Sequence, residues 1–147
     1  MKHVMTIVFL GLLASCSSRQ IPSSKVPSVV LNTVKAKYPD VKEVEWIKIK
    51  NGYEAEIQLN DSTEFNMQMD GSGKLVMQKE DIAITALPPA IVAAVNTRTG
   101  YTVDEAERME KSGVTYYQLE LEAKGKKDLE LVMTEDGKEA QAVAFWD

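Results

Sequence analysis

The chain of 147 residues contains a single histidine and a single cysteine, and both lie near its amino end. One cysteine cannot form an internal disulfide, so the fold must depend on its hydrophobic core. His3 lies in a segment that we expect to be removed, which leaves the mature domain without an imidazole for a histidine-based triad or a zinc site. The formal net charge is −5 and no block of basic residues occurs, so nucleic acid is not an expected partner.

The amino-terminal residues have the composition of an export signal. A basic start at Lys2 and an apolar stretch too short to span a bilayer are followed by small residues. The run Leu13-Ala14-Ser15-Cys16 resembles the bacterial lipobox, in which the cysteine is acylated and becomes the first residue of the mature protein. We therefore predict a lipoprotein signal peptide at residues 1–15 and a lipid anchor at Cys16, which would hold the exported protein on a membrane of the cell envelope, facing the periplasm. The alternative is an ordinary signal peptide with an incidental cysteine.

Residues 16–24 are polar, rich in serine and interrupted by proline. Such a segment cannot pack a core, so we predict a flexible tether that lets the domain move away from the membrane. The remaining chain is long enough to bury one core or two small joined cores.

From residue 26 onward, the same order of features occurs twice. The first copy begins with Val26-Pro27 and has apolar residues at 26, 29, 30, 34 and 38, which is the spacing of one helical face. The second begins with Leu87-Pro88-Pro89 and has apolar residues at 87, 91, 92 and 95. Proline fits the start of a helix because its missing N–H would be unpaired there anyway. We therefore predict two repeats, at residues 25–82 and 83–147, each beginning with a helix.

After each helix the apolar period changes to 2, which is typical of strands with one buried face. Alternation is clearest at residues 53–59 and 65–69 in the first copy and at 117–123 and 129–133 in the second. Turn residues separate these segments, which favours antiparallel pairing. The first strands, near residues 44–49 and 104–110, and the last, at 74–79 and 141–146, follow from the repeat. The predicted class is α+β, with two tandem repeats, each a helix packed on an antiparallel sheet of about four strands.

Several short motifs of the first copy occur in a fixed order. They are Pro27, Tyr38-Pro39, Val44-Glu45-Trp46, Gly52-Tyr53-Glu54-Ala55-Glu56-Ile57, Phe65 and Asp70-Gly71-Ser72-Gly73. With these motifs, residues 26–147 resemble the PepSY-like family of secreted proteins, whose members resemble beta-lactamase inhibitor proteins (BLIP). The resemblance implies two helix-plus-sheet units side by side with a concave sheet surface. It supplies no catalytic residue, and inhibition is an analogy of fold. In the second copy we align Arg108 with Trp46.

Exposed aromatic and acidic side chains are the candidates for binding a partner. Tyr116 and Tyr117 are adjacent and must point to opposite faces of a strand, so at least one should face solvent. Trp46 is either a core residue or an interface anchor. Paired glutamates on one strand face could act in glycoside hydrolysis, although an exposed strand needs such polar residues in any case. The candidate partner-binding residues are Trp46, Tyr116, Glu54, Glu56, Glu120 and Glu122.

These features predict a non-enzymatic, membrane-tethered module that binds another envelope protein, with inhibition as one form of that binding. The first alternative is a calcium or small-ligand sensor, because acidic oxygen ligands suit calcium. The turn Asp70-Gly71-Ser72-Gly73-Lys74 does not follow an EF-hand register, so we predict a hairpin turn there and neither a metal site nor a cofactor. The second alternative is a carboxylate-based hydrolase, but no motif identifies catalytic residues.

Overall fold

The computed structural model describes residues 20–60 and 63–146, so the predicted signal peptide and Cys16 lie outside the described residues. Within them, seven strands form one antiparallel sheet and follow one another across it in chain order. The helices and strands are α1 (Ser28–Lys37), β1 (Val44–Ile49), β2 (Gly52–Asn60), β3 (Thr63–Asp70), β4 (Leu75–Asp81), α2 (Pro89–Asn96), β5 (Thr102–Lys111), β6 (Val114–Glu122) and β7 (Leu129–Thr134). The α+β tandem fold predicted from the sequence is confirmed.

Both helices begin directly after a proline, as the sequence predicts. Pro27 precedes α1, and Pro88 precedes α2, whose first residue is Pro89. Each helix buries a narrow apolar stripe, formed by Val30 and Val34 in α1 and by Ile91 and Val95 in α2. Val29 does not belong to this stripe, since it is 49% exposed. No helix in the described part of the chain is long and apolar enough to cross a membrane.

The two helices pack on the same face of the sheet. One row of successive Cα partners crosses all seven strands: Val44, Ile57, Phe65, Glu80, Arg108, Tyr117 and Met133. Residues in such a row share a face. In this row Ile57 and Phe65 belong to the core beneath α1, and Tyr117 and Met133 to the core beneath α2. We call this side the helix face, and the opposite side, which carries the alternating residues such as Glu54 and Gln118, the open face.

The seam between the two cores on the helix face is polar. Arg108 of β5 pairs with Glu80 of β4, and its Nε donates a hydrogen bond of 2.9 Å to Glu80 Oε1. The repeats are therefore joined by the β4–β5 ladder of one continuous sheet and have separate cores beneath their helices.

A glycine after the third strand of each repeat lies against the first turn of the helix. Gly73 and Gly137 have φ values of 82° and 80°. A Cβ atom at Gly73 would lie 2.7 Å from Val29 O, and one at Gly137 would lie 2.6 Å from Ala90 O. Thr33 Oγ1 adds a hydrogen bond of 2.7 Å to Gly73 O in the first repeat. These turns therefore fix the helices on the sheet, and only glycine fits there.

The predicted last strand at residues 141–146 is not formed, so the second repeat has three strands rather than about four. After β7, pairing is limited to one bridge between Met133 and Glu139 and a hydrogen bond of 2.7 Å from Ala140 N–H to Val132 O. Residues 140–146 then lie on the open face, where Trp146 packs with Met109 and Val132. Apolar burial on that face replaces the ladder that an edge strand would have made.

The predicted tether at residues 16–24 is too long at its carboxyl end. Gln20 forms a bridge with Ile47, and Ile21 N–H donates to Trp46 O at 2.8 Å. A short 3-10 helix, Ser23–Lys25, follows. An edge strand such as β1 has free backbone groups that this segment can pair with. Ile21 also packs against the first core, so the segment lies along the edge of the sheet.

Candidate binding face of the sheet

The open face is strongly acidic along its whole width. Its carboxylates are Glu45, Glu54, Glu56, Glu64, Asp81, Glu105, Glu107, Glu120, Glu122 and Glu130. Within the described strands, Lys79 and Lys111 are the basic residues on this side. The predicted glutamates of β2 and β6 therefore do share one face of the sheet.

Carboxylates on this face stand directly opposite one another. Glu105, Glu120 and Glu130 are successive Cα partners across β5, β6 and β7. Partial burial raises the pKa of Glu120, and the charges of Glu105 and Glu130 raise it further. In β2, burial and then the neighbouring glutamates, first Glu54, raise the pKa of Glu56. Like charges that face one another lower the stability of the fold, so a positively charged ligand would reduce the electrostatic repulsion on this face.

A buried polar network holds the carboxyl-terminal segment on the second repeat. Gln118 is 1% exposed, and its Oε1 accepts a hydrogen bond of 2.8 Å from Trp146 N–H while its Nε2 donates to Trp146 O at 3.0 Å. Lys79 Nζ donates to the same carbonyl at 2.7 Å and lies 2.9 Å from Glu107 Oε1. Because these contacts use backbone groups of the segment, they fix its path across the face.

The first repeat carries different groups at the corresponding part of the face. Glu54 is 6% exposed and accepts a hydrogen bond of 2.9 Å from Gln68 Nε2. Asn66, on the same face of β3, is 7% exposed, but the fully buried side-chain atom that lacks a hydrogen-bond partner among the described residues is Trp146 Nε1. The Asn66 amide therefore still reaches the surface, where water or a ligand can pair with it.

The structure separates the predicted aromatic candidates. Trp46 pairs with Ala55 on the helix face and is 4% exposed in the core beneath α1. It is a core residue, so we withdraw it as a binding residue. Tyr117 also faces the core and is 8% exposed, whereas Tyr116 lies half-buried on the open face beside the Trp146 cluster. The two tyrosines do point to opposite faces.

The acidic candidates lie on the open face but differ in exposure. Glu54 is buried, Glu56 and Glu120 are half-buried and Glu122 is exposed. Sequence reasoning missed Lys79 and the side-chain role of Gln118. The only sequence signal for either was a polar residue at an alternating strand position, which does not distinguish a solvated side chain from a buried one.

The described residues include neither histidine nor cysteine, and within residues 20–60 and 63–146 no group of three or more acidic residues is placed to hold a metal ion. The Asp70 turn is a hairpin turn, as predicted. Asp70 Oδ1 accepts hydrogen bonds from Ser72 Oγ at 2.6 Å, from Ser72 N–H at 2.8 Å and from Lys74 N–H at 3.1 Å. These bonds lower the pKa of Asp70, so the carboxylate stabilises the turn in which it lies.

The family model described as "Putative beta-lactamase-inhibitor-like, PepSY-like" matches the chain twice, over residues 12–77 and 73–139. The chain belongs to this PepSY-like family. No curated protein matches its sequence. The first match covers α1 and β1 to β3, the second covers α2 and β5 to β7, and β4 begins where the two matches overlap.

Solved structures from three Bacteroides species share the PepSY-like fold. A DUF2874 family protein from Bacteroides uniformis is 21% identical, with a TM-score of 0.69 over 78% of this chain and 86% of its own. One described among "putative periplasmic proteins", from Bacteroides eggerthii, is 15% identical, with a TM-score of 0.71 over the same shares. A BLIP-like protein from Bacteroides fragilis is 22% identical, with a TM-score of 0.63 over 77% and 82%. At these identities the likeness shows the fold alone.

Proposed function

We propose that this protein is a non-enzymatic lipoprotein of the cell envelope, anchored through Cys16 and facing the periplasm, whose open face binds another envelope protein and thereby inhibits it. The observation that carries the proposal is the acidic open face, where the contacts of the carboxyl-terminal segment are with the second repeat and with Met77 and Lys79 of β4. Broad sheet surfaces of one charge suit recognition of a protein with the opposite charge.

Two further observations support the proposal. Two of the buried polar groups of the open face, Gln118 and Lys79, hold the carboxyl-terminal segment, so this face already binds a polypeptide. The description of the PepSY-like family and of the Bacteroides fragilis structure as BLIP-like supports inhibition as the consequence of binding. The description of the Bacteroides eggerthii protein supports the periplasm as the location.

The binding proposal is tested by capture of envelope proteins on immobilised residues 17–147, which contain all the described helices and strands. An open-face variant combines Glu45→Lys, Glu56→Lys, Glu120→Lys and Glu122→Lys. The matched control is Val92→Ser, because Val92 is 40% exposed on α2, on the other side of the sheet. We expect a partner that the control retains and the open-face variant loses. A partner lost only by the control, or no partner from any growth condition, would contradict the proposal.

The anchor is tested separately with Cys16→Ser. We expect the wild-type protein in the membrane fraction with an acylated amino-terminal peptide by mass spectrometry. The variant should lack the acylated peptide and leave the membrane fraction, because loss of the acyl chains removes the apolar anchor. An unmodified Cys16 in the mature wild-type protein would refute the anchor without affecting the binding proposal.

A further inference from the structure

Resting on the proposed function, we propose that the part of the open face formed by β1, β2 and β3 is the docking surface, and that the partner presents to it an extended segment carrying lysine or arginine side chains. The chain itself supplies the model for such docking, since its own carboxyl-terminal segment lies on the same face of the second repeat.

The carboxyl-terminal segment shows how this face holds a polypeptide. Gln118 bonds both the N–H and the C=O of Trp146, and the Trp146 side chain enters an apolar cluster with Met109 and Val132. Lys79 adds a third contact to the backbone carbonyl. Backbone hydrogen bonds and one apolar side-chain cluster thus seat the chain on this face, and the same two kinds of contact serve in recognition of peptides by sheets.

The equivalent positions of the first repeat carry side chains of a different chemical type. Tyr53 and Tyr117 occupy the same place in β2 and β6, so Glu54 corresponds to Gln118 and Gln68 corresponds to Val132. A carboxylate only accepts hydrogen bonds, whereas an amide also donates. The first repeat therefore calls for a segment rich in donors, such as ammonium or guanidinium groups, in place of the apolar segment that covers the second repeat.

An unpartnered amide lies within this surface. Asn66 is the Cα partner of Glu56 on one side and of Lys79 on the other, and its amide, which has no hydrogen-bond partner among the described residues, still reaches the surface, since the fully buried unpaired side-chain atom there is Trp146 Nε1. A docked segment would therefore find the Asn66 amide accessible as both a donor and an acceptor.

The charge of the surface defines the chemistry of the partner. The described strands β1, β2 and β3 carry no basic residue on the open face, since Lys48 pairs with Tyr53 on the helix face. Glu45, Glu56 and Glu64 surround Glu54 and Asn66 on this part of the sheet. Lysine or arginine side chains would offset these charges, and such a contact should weaken steeply with salt.

The test is a titration of isotopically labelled residues 17–147 with the peptide Gly-Lys-Gly-Lys-Gly-Lys-Gly, followed by amide chemical shifts in NMR spectra at low salt. We expect the shifts to be confined to β1, β2 and β3. The double variant Glu45→Gln/Glu56→Gln should weaken binding about tenfold, because it removes two charges from the surface. The matched control Glu120→Gln/Glu122→Gln places the same change in the second repeat and should weaken binding by less than about twofold.

Three results would overturn the inference: shifts centred on β5 to β7, equal weakening by both double variants, or equal binding of a peptide with glutamate in place of lysine. The substitutions are isosteric and lie at half-buried or exposed positions, so amide dispersion shows directly whether the variants are folded. If capture identifies a partner that Glu120→Lys/Glu122→Lys abolishes and Glu45→Lys/Glu56→Lys does not, the proposed function stands and this inference fails. If the peptide binds as expected but no partner is captured, the proposed function fails.

Discussion

In the first repeat the central residue of the open face is Glu54, whereas the second repeat has Gln118 at the equivalent position. Both side chains are nearly buried, with 6% and 1% exposure. The amide of Gln118 donates and accepts, so it holds both backbone groups of Trp146, while the carboxylate of Glu54 accepts from Gln68 instead. The difference teaches that a side chain which both donates and accepts can hold both backbone groups of a covering segment, whereas a carboxylate at the same place cannot.

The two cores also differ at equivalent positions. Trp46 pairs with Ala55, and Ala106 pairs with Leu119, which corresponds to Ala55. Ala106 therefore occupies the place of Trp46, and our alignment of Arg108 with Trp46 is wrong. The sequence alignment missed this because both hairpins close with a two-residue turn, but the β5–β6 ladder runs two residue pairs further beyond the aligned tyrosine than the β1–β2 ladder. Each repeat packs one tryptophan, but Trp46 lies on the helix face and Trp146 on the open face.

Removing the two tryptophans should break the two repeats in different ways. Trp46→Ala leaves a cavity inside the first core and should lower the free energy of unfolding by about 3–5 kcal/mol. Trp146→Ala removes a side chain near the chain end and should cost about 2 kcal/mol, because the segment can relax. Urea unfolding followed by circular dichroism measures both changes. Trp46→Phe serves as the control and should recover about half of the loss. Equal costs for the two alanine variants would show that the faces are equivalent.

Alanine at the two turn glycines should affect both repeats alike. Gly73→Ala and Gly137→Ala combine a positive φ with a Cβ atom that clashes with a helix carbonyl, so each should cost about 2–4 kcal/mol. Gly125→Ala is the matched control, because Gly125 has a φ of 75° and nothing within 4 Å of its Cβ position. It should cost about 1 kcal/mol from backbone strain alone. Thermal unfolding provides the comparison, and a control as damaging as the other two would exclude the helix contact as the cause.

Exchanging the central residues sharpens the comparison directly. Gln118→Glu removes the donor to Trp146 O and adds a carboxylate beside Glu107, and should cost about 2–3 kcal/mol. Glu54→Gln keeps an acceptor for Gln68 and should cost less than about 1 kcal/mol. Hydrogen exchange of residues 140–146 should accelerate in the first variant only. Unchanged protection there would mean that the apolar cluster holds the segment without Gln118.

The acidic rows predict the smallest effect, a dependence of stability on pH. Because the pKa of Glu56 and of Glu120 is raised in the fold, the folded protein binds protons more tightly than the unfolded chain. The free energy of unfolding should therefore increase as the pH falls from neutral through the raised pKa values. The increase should be complete once the pH is below the ordinary value of 4.5. Asp136 acts in the opposite direction, since Lys138 and Thr134 lower its pKa to about 2, and its contribution is lost below its ordinary value of 3.8.

The charge of Glu120 can be tested alone. Glu120→Gln should raise stability at neutral pH by less than about 1 kcal/mol and flatten the acid-side increase, because it removes the opposition of Glu105 and Glu130. Thermal unfolding between about pH 3 and pH 8 follows both effects. Glu122→Gln is the control, because Glu122 is exposed and pairs with Thr102 rather than with a glutamate. An equal gain in stability from the control would show that the effect comes from the net charge of the protein and not from the row of Glu105, Glu120 and Glu130.

Much of the fold could be predicted because each middle strand has one buried side. Alternation identified β2, β3, β6 and β7, and the repeat located β1 and β5, whose own patterns are weak. The prediction failed at residues 141–146 because Val143, Phe145 and Trp146 fit an edge strand and a crossing segment equally well in local terms. The glutamates were assigned to the correct face, but their burial was not predictable. Alternation indicates the face to which a side chain points, and it does not indicate which residues cover that face.

The sequence by itself determined the two helices, the turns, the antiparallel order and the acidity of one side of the sheet, because these depend on neighbours a few residues apart. Only the tertiary structure decided what lies on that side. Trp146 is held by Lys79 and Gln118, which are 67 and 28 residues away in the chain. Contacts of that separation form only after the strands have paired, so no local pattern records that the second repeat is covered by its own chain.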